Sequence, residues 1–256
     1  MGRSIGGIAA ARDRTLSVLA LLLLWWGAAQ LAADPRLLPS PGAVAEAAWR
    51  QAASGDMGRD FAATLARVLA AFLLSMLVGT VLGYVAGRSR RADAVMDPWI
   101  VILLNLPALV VIVLAYVWVG LNEAAAVLAV AVVKVPTVMV TVREGARALD
   151  PALDDLATVY GLPWTRRLRR VVLPQLAPYL AAAGRSGLAI TWKIVLIVEL
   201  LGRPDGVGFA LNLFFQNFDV ASILAYGVGF AALMLLIEMA ILQPWERRAN
   251  AWRRPA

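Results

Sequence analysis

Apolar residues run in long unbroken stretches along this chain, and polar residues gather between them. A hydrocarbon core about 30 Å thick needs about 20 helical residues at about 1.5 Å rise each. Six stretches meet that length: 15–33, 61–87, 98–120, 124–142, 176–201 and 222–242. The pattern predicts an all-α polytopic membrane protein with six transmembrane helices. The first stretch also has signal-peptide features, because Arg12 and Arg14 precede it and the small residues of AAQLAAD follow. Its apolar part is longer than a signal core, and the charge alternation described next works better if it stays as a span.

Lys and Arg of short loops accumulate on the cytoplasmic side. With a cytoplasmic N-terminus, one side receives Arg3, Arg12, Arg14, Arg88, Arg90, Arg91, Arg143, Arg147, Arg166, Arg167, Arg169, Arg170, Arg247, Arg248, Arg253 and Arg254. The other side receives Arg36, Arg50, Arg59 and Arg203, and the turn GLNE at 120–123 carries no base. Both termini are therefore expected in the cytoplasm. The chain divides into residues 1–58 (tail, first span and an external amphipathic segment), a five-span core at 59–245 with a loop at 143–174, and a basic tail at 246–256.

Composition agrees with a bilayer: 61% of residues are hydrophobic, 16% are charged, and mean hydropathy is +0.73. Cys and His are absent, which removes disulfides, zinc sites and imidazole bases. No metal ligand set is expected. A Ser186–Lys193 pair fails as a nucleophile and base, since seven residues on one helix separate the tips by about two turns. The net charge of +7 is spread over loops facing one membrane surface, so lipid headgroups explain it and nucleic acid is not an expected partner.

The longest polar interruption is DDLATVYGLPWTRRLRRVVLPQL, 154–176. Asp150 suits an N-cap, Pro151 the first helical position, Asp154 and Asp155 the positive dipole end, and Gly161 the stop. Leu153, Leu156, Ala157 and Tyr160 then fall on one apolar stripe. A second short helix is expected from Pro163, with Trp164, Leu168, Val171 and Val172 on one side, until Pro174 begins the fifth span. Pattern alone leaves two readings, a hairpin lying on lipid and a docking knob for a cytosolic partner.

This segment resembles the EAA signature of ABC importer permeases: EAA, three residues, G, nine residues, I, any residue, LP. Asp155, Leu156 and Ala157 stand at the EAA positions, Gly161 at the glycine, Val171 at the isoleucine, and Leu173 and Pro174 close it. Asp155, Leu156 and Val171 depart from the pattern in identity while keeping its length. WVGLNE at 118–123, Pro107, Pro136 and VELLGRPDGVGF at 198–209 extend the resemblance to the nitrate, sulfonate and taurine branch, over roughly 60–245. The resemblance implies a type I importer permease fold with cytoplasmic coupling helices, in a bacterial inner membrane. It implies a second copy of the permease, two cytosolic ATPase subunits and an external substrate-binding protein. ATP and Mg would belong to the ATPase, so no cofactor is expected here. The only lysines, Lys134 and Lys193, follow Val133 and Trp192, which excludes a phosphate-cradling GK[ST] loop. On the same grounds Asp150, Leu153, Asp155, Leu156, Ala157, Tyr160, Gly161, Pro163, Trp164, Leu168, Leu173 and Pro174 are expected to couple the chain to its ATPase.

Ionisable groups inside spans are pathway candidates by default. Lys134, Thr137 and Thr141 share one face of the fourth span beside Pro136. They either line an anion path, or Lys134 pairs with Glu199 or Glu238. Lys193, Glu199 and Asn105 complete the expected pathway set, Asn105 being equally suited by type to hydrogen-bonding between helices. Gly184, Gly187 and Thr191 share a face suited to close helix packing. Asp60, Thr64, Arg67 and Ser75 read as a stripe whose charged end snorkels outward. Phe209, Phe214, Phe215 and Phe218, in a segment too short to span, are expected to form an external gate, the alternative being an interfacial helix with its aromatics at headgroup depth. Trp245 and Trp252 read as interfacial residues of the tail. The expected function is import of a small anionic solute such as nitrate, a sulfonate, or a taurine-like or related organic anion. The alternative is a secondary transporter or channel for small anions that needs no ATPase.

Overall fold

The structure is a computed structural model that describes residues 2–32 and 34–249; Trp252, Arg253 and Arg254 of the expected tail lie outside the described residues. Among the described residues every regular element is a helix. In chain order these are α1 (Gly2–Ala32), α2 (Pro41–Ala53), α3 (Asp56–Arg88), α4 (Arg90–Asn105), α5 (Ala108–Val119), α6 (Glu123–Arg147), α7 (Pro151–Val159) and α8 (Trp164–Arg167). A π-helical turn (Leu168–Val172) leads into α9 (Leu173–Gly202), followed by α10 (Val207–Gln216) and α11 (Val220–Ile237). A second π-helical turn (Glu238–Leu242) leads into α12 (Gln243–Ala249).

The bundle is organised around α6, which packs against α3, α4, α5 and α9. Its closest neighbour is α3, and the reason lies in three glycines spaced four apart. A Cβ on Gly79, Gly83 or Gly87 would lie 2.6 Å from Val138 Cβ, 2.6 Å from the Met139 carbonyl oxygen and 2.5 Å from Ala146 Cβ, respectively. Small residues let two backbones touch where no hydrophobic force drives helices together in lipid. The order of these contacts makes α3 and α6 parallel. α9 runs the other way, because Leu176 packs with Ala146 and Leu149 at one end while Glu199 reaches Arg67 at the other. Gly184 packs closely against the Trp245 side chain, whereas a Cβ on Gly187 would meet Phe72 at an ordinary 3.5 Å, and Thr191 is fully buried. Trp245 is thus a packing residue of the bundle as well as 39% exposed.

Among the described residues four helices are long and apolar enough to cross a membrane: Asp56–Arg88, Glu123–Arg147, Trp164–Gly202 and Val220–Glu246. The expected third span, 98–120, is not one straight helix. α4 and α5 meet at 99°, because Leu106 before Pro107 is driven into extended backbone, ψ 127°. In α1 the apolar part is Leu16–Ala32, shorter than the other four, and Ala33 at the expected end of that span lies outside the described residues. α1 meets α2 and the segment before it, where Trp25 Nε1 donates to the Pro39 carbonyl at 3.1 Å, and α2 packs Val44 and Ala47 against Ala225 of α11.

The expected separate second helix of the loop is also corrected. From Trp164 the chain stays helical through the π turn into α9, making one 39-residue rod. Pro174 does not start a new helix, since the wider π turn, with Leu173 N–H reaching the Leu168 carbonyl, absorbs the missing donor and the ring. Pro244 stands at the same distance behind the second π turn, where Gln243 N–H reaches the Glu238 carbonyl.

Candidate functional site

α7 is a short helix with both ends fixed. Asp150 accepts from Ala152 N–H at 2.9 Å as the N-cap, and its own N–H donates to Gln175 of α9 at 2.9 Å. At the other end Gly161 has φ +57°, with Gly161 N–H on the Thr158 carbonyl and Leu162 N–H on the Ala157 carbonyl. That pair of bonds is a Schellman stop, which needs the left-handed residue that glycine supplies. The predicted apolar stripe divides. Ala157 turns inward at 3% exposure, whereas Leu153, Leu156 and Tyr160 are 41%, 52% and 73% exposed. Trp164 at 57% continues the exposed apolar surface, and Asp155 and Pro163 lie beside it in solvent. Leu168 packs inward with Val172 and Leu176, while Leu173 and Pro174 are exposed.

Ion pairs brace this element against the bundle. Asp154 accepts from Arg88 at the end of α3 and from Arg167 of α8, the latter at 3.0 Å. Arg143 donates to Asp93 at 3.1 Å and to Asp97 at 2.7 Å, tying α6 to α4, and Arg147 adds Asp93 and Glu144. Arg88, Arg143, Arg147 and Arg167, which the charge alternation groups on one side, thus stand at one end of the bundle with shared acids.

The expected pathway residues occupy several places. Lys134 is 2% exposed in the middle of α6, and neither proposed carboxylate is its partner: Glu199 pairs with Arg67 and Glu238 with Arg185. Thr137 and Thr141 on its face are half-buried, and Thr141 Oγ1 donates back to the Thr137 carbonyl at 3.1 Å. Lys193 is exposed, its Nζ 5.6 Å from the Trp192 ring centre, on a groove of about 210 Å³ that Glu238 and Met234 also line. Asn105 sits exposed at the α4–α5 corner and donates to the Val101 carbonyl. Glu199 is fully buried at the other end of the bundle.

That other end holds a cluster which the sequence reading missed. Arg67 does not snorkel: at 6% exposure it donates through Nε and a terminal nitrogen to Glu123 at 2.9 and 2.7 Å. It also donates to Glu199 at 2.7 Å, to the Asp205 carbonyl at 3.0 Å and to the Asp205 carboxylate. Arg203 joins through Glu123 at 2.6 Å. The available signal was the balance of charge, two arginines against three acids beside the same ends of three spans, where a lone arginine would be costly. α10 lies on this cluster. Phe214 meets Tyr226 edge to face at 5.0 Å, and Phe209 lines a groove of about 430 Å³ with Asp60, Asp205 and Tyr226. Phe215 and Phe218 are 67% and 77% exposed. Among the described residues no group of three acids, cysteines or histidines is placed to hold a metal ion.

Residues 75–243 match the family described as the inner membrane component of binding-protein-dependent transport systems, and the signature at 155–174 lies inside that match. The chain is 27% identical over 217 residues to the aliphatic sulfonates transport permease protein SsuC of Bacillus subtilis, covering 85% of this chain and 78% of that one. It is 26% identical over 250 residues to the taurine transport system permease protein TauC of Escherichia coli, covering 94% and 90%. Among solved structures, a chain of the MetNI methionine ABC transporter, in an inward-facing conformation, superposes with a TM-score of 0.62 at 18% identity, covering 75% of this chain and 93% of that one. The helical fold, the signature spacing and the match over 75–243 place this chain in the family of inner membrane components of binding-protein-dependent transport systems, the permease subunits of ABC importers.

Proposed function

We propose that two copies of this chain form the membrane path of an ATP-driven importer for a small anionic solute. Two cytosolic ATPase subunits dock on α7 and α8, and an external binding protein delivers the solute to the opposite end. The observation that carries this is the exposed apolar face of Leu153, Leu156, Tyr160 and Trp164 on a braced support. Asp154 ties that face to α3, and Asp150 ties it to α9 through Gln175. A push on α7 therefore moves two spanning helices, which a hairpin resting on lipid has no need to do. ATP and Mg belong to the ATPase, and this chain contributes packing and path.

The anion preference rests on Lys134 and Lys193, with Thr137, Thr141 and Asn105 as hydrogen-bonding partners along the path. Relatives named for aliphatic sulfonates and for taurine point to the same solute class. Phe209, Phe214 and Phe215 of α10, with Phe218 in the turn that follows it, form the outer gate. Both termini lie in the cytoplasm, with the Arg88, Arg143, Arg147 and Arg167 end of the bundle. Leu153→Glu with Leu156→Glu tests the docking face. The doubly substituted chain inserts normally and loses co-purification with the ATPase subunit, and full retention with normal stimulation by loaded binding protein would overturn the proposal.

A further inference from the structure

The first N–H groups of a helix have no partner within it. At α10 and the residue before it, three consecutive N–H groups are met by side chains of other helices. Gly206 N–H donates to Asp60 at 3.0 Å, Val207 N–H to Thr64 Oγ1 at 2.8 Å, and Gly208 N–H to Glu199 at 2.9 Å. Asp60 and Thr64 belong to α3 and Glu199 to α9, so the cap is also the joint between α10 and two spanning helices. The approach is close. A Cβ on Gly208 would strike the Leu196 carbonyl oxygen, and one on Gly206 would lie 2.5 Å from the Glu199 carboxylate.

Glu199 can serve this joint as an anion only if a cation stands behind it. It is fully buried and accepts from Thr64, Gly208 and Arg67. Arg67 supplies the charge, and its remaining N–H groups run to Glu123 of α6 and to Asp205 in the loop that enters α10. One guanidinium thus neutralises the cap and pins the loop. Its fork makes this geometry available where an ammonium would not. The outer partners are open, Glu123 and Asp205 being 55% and 50% exposed, and Arg203 Nε is buried with no acceptor among the described residues. The inner pair is sealed and satisfied, and the outer part is accessible and incompletely bonded.

We infer that Arg67 is the positioning residue of the outer seal. It seats the N-terminus of α10 between α3 and α9, and loss of that seat opens the solute path from this end. The inference rests on the proposed role of α10 as a gate.

The chain has no cysteine, so an introduced thiol is the only one it carries, and labelling is read on this subunit's own band after electrophoresis. Ala210, on the inward face of α10, is 4% exposed, and Ala210→Cys in the assembled transporter meets a membrane-impermeant maleimide. With Arg67 present the thiol labels slowly. Arg67→Met raises the rate by at least about tenfold, because labelling follows the population of the open seat. Arg67→Lys keeps the charge without the fork and falls between the two. Combining Arg67→Met with Glu199→Gln removes the uncompensated buried charge, yet labelling stays fast because Asp205 remains unheld and Glu123 keeps Arg203 alone. Slow labelling in Arg67→Met, or a return to slow labelling in the combined variant, overturns the inference. The same complexes in sulfonate-loaded vesicles without ATP read the seal directly. Arg67→Met leaks about tenfold faster than the parent in proportion to its open population, and fast labelling without a leak also overturns the inference. ATP-driven uptake by the parent complex is measured alongside. Its failure would count against the transport proposal, while labelling still decides whether Arg67 holds α10.

Discussion

Gly161 offers a perturbation whose cost is almost purely conformational. A Cβ built there meets nothing within 4 Å, so no clash contributes, and φ is +57°. An L-residue with a Cβ pays about 1–2 kcal/mol in this left-handed region, asparagine pays less, and a β-branched residue pays most. The two bonds at risk are Gly161 N–H to Thr158 and Leu162 N–H to Ala157. One or two kcal/mol raises the open population of that helix end by about 5–30-fold. Hydrogen exchange at residues 160–162 should therefore quicken in the order Gly, Asn, Ala, Val. Stimulation of ATPase activity by loaded binding protein should fall in the same order, because α7 must point its exposed face at a fixed angle. Equal exchange in Gly161→Val and the parent, or Gly161→Asn as damaging as Gly161→Val, would refute the Schellman account of this turn.

Gly83→Ala pushes a Cβ to 2.6 Å from the Met139 carbonyl oxygen and should lower stability in detergent by about 1–3 kcal/mol. Gly58→Ala on the same helix meets nothing within 4 Å and should hold or raise the melting temperature, so equal losses at the two sites would sink the α3–α6 packing argument. Lys134→Met and Lys193→Met should each slow uptake of an anionic solute without loss of assembly, and normal uptake in both would remove the anion path. Reporters fused after Arg91 or Arg147 should read as cytoplasmic and one after Asp56 as external; a cytoplasmic signal at Asp56 contradicts the orientation.

The sequence carries the helical class, the loop signature and the two ends of α7, because those follow from local chemistry. Asp150, Pro151 and Gly161 announce α7 without help from the rest of the chain. Pro107 announces a break, but the 99° between α4 and α5 depends on what each half packs against. Pro174 misleads, since a π turn five residues long absorbs it. Ala157 looks like its stripe neighbours on a helical wheel, and only tertiary packing decides that it faces inward. The cluster at Arg67 was hidden for a different reason. Its partners lie 56, 132 and 138 residues away, and no local pattern links Glu123, Glu199 and Asp205 to one guanidinium.

Reconstitution tests the central claim most directly: this chain, its ATPase subunit and its binding protein in sealed vesicles, with radiolabelled alkylsulfonate or taurine outside the face that the binding protein meets. The account predicts accumulation that needs ATP, the binding protein and an intact Leu153–Leu156 face together. Equal accumulation without ATP, driven by an ion gradient alone, would contradict it.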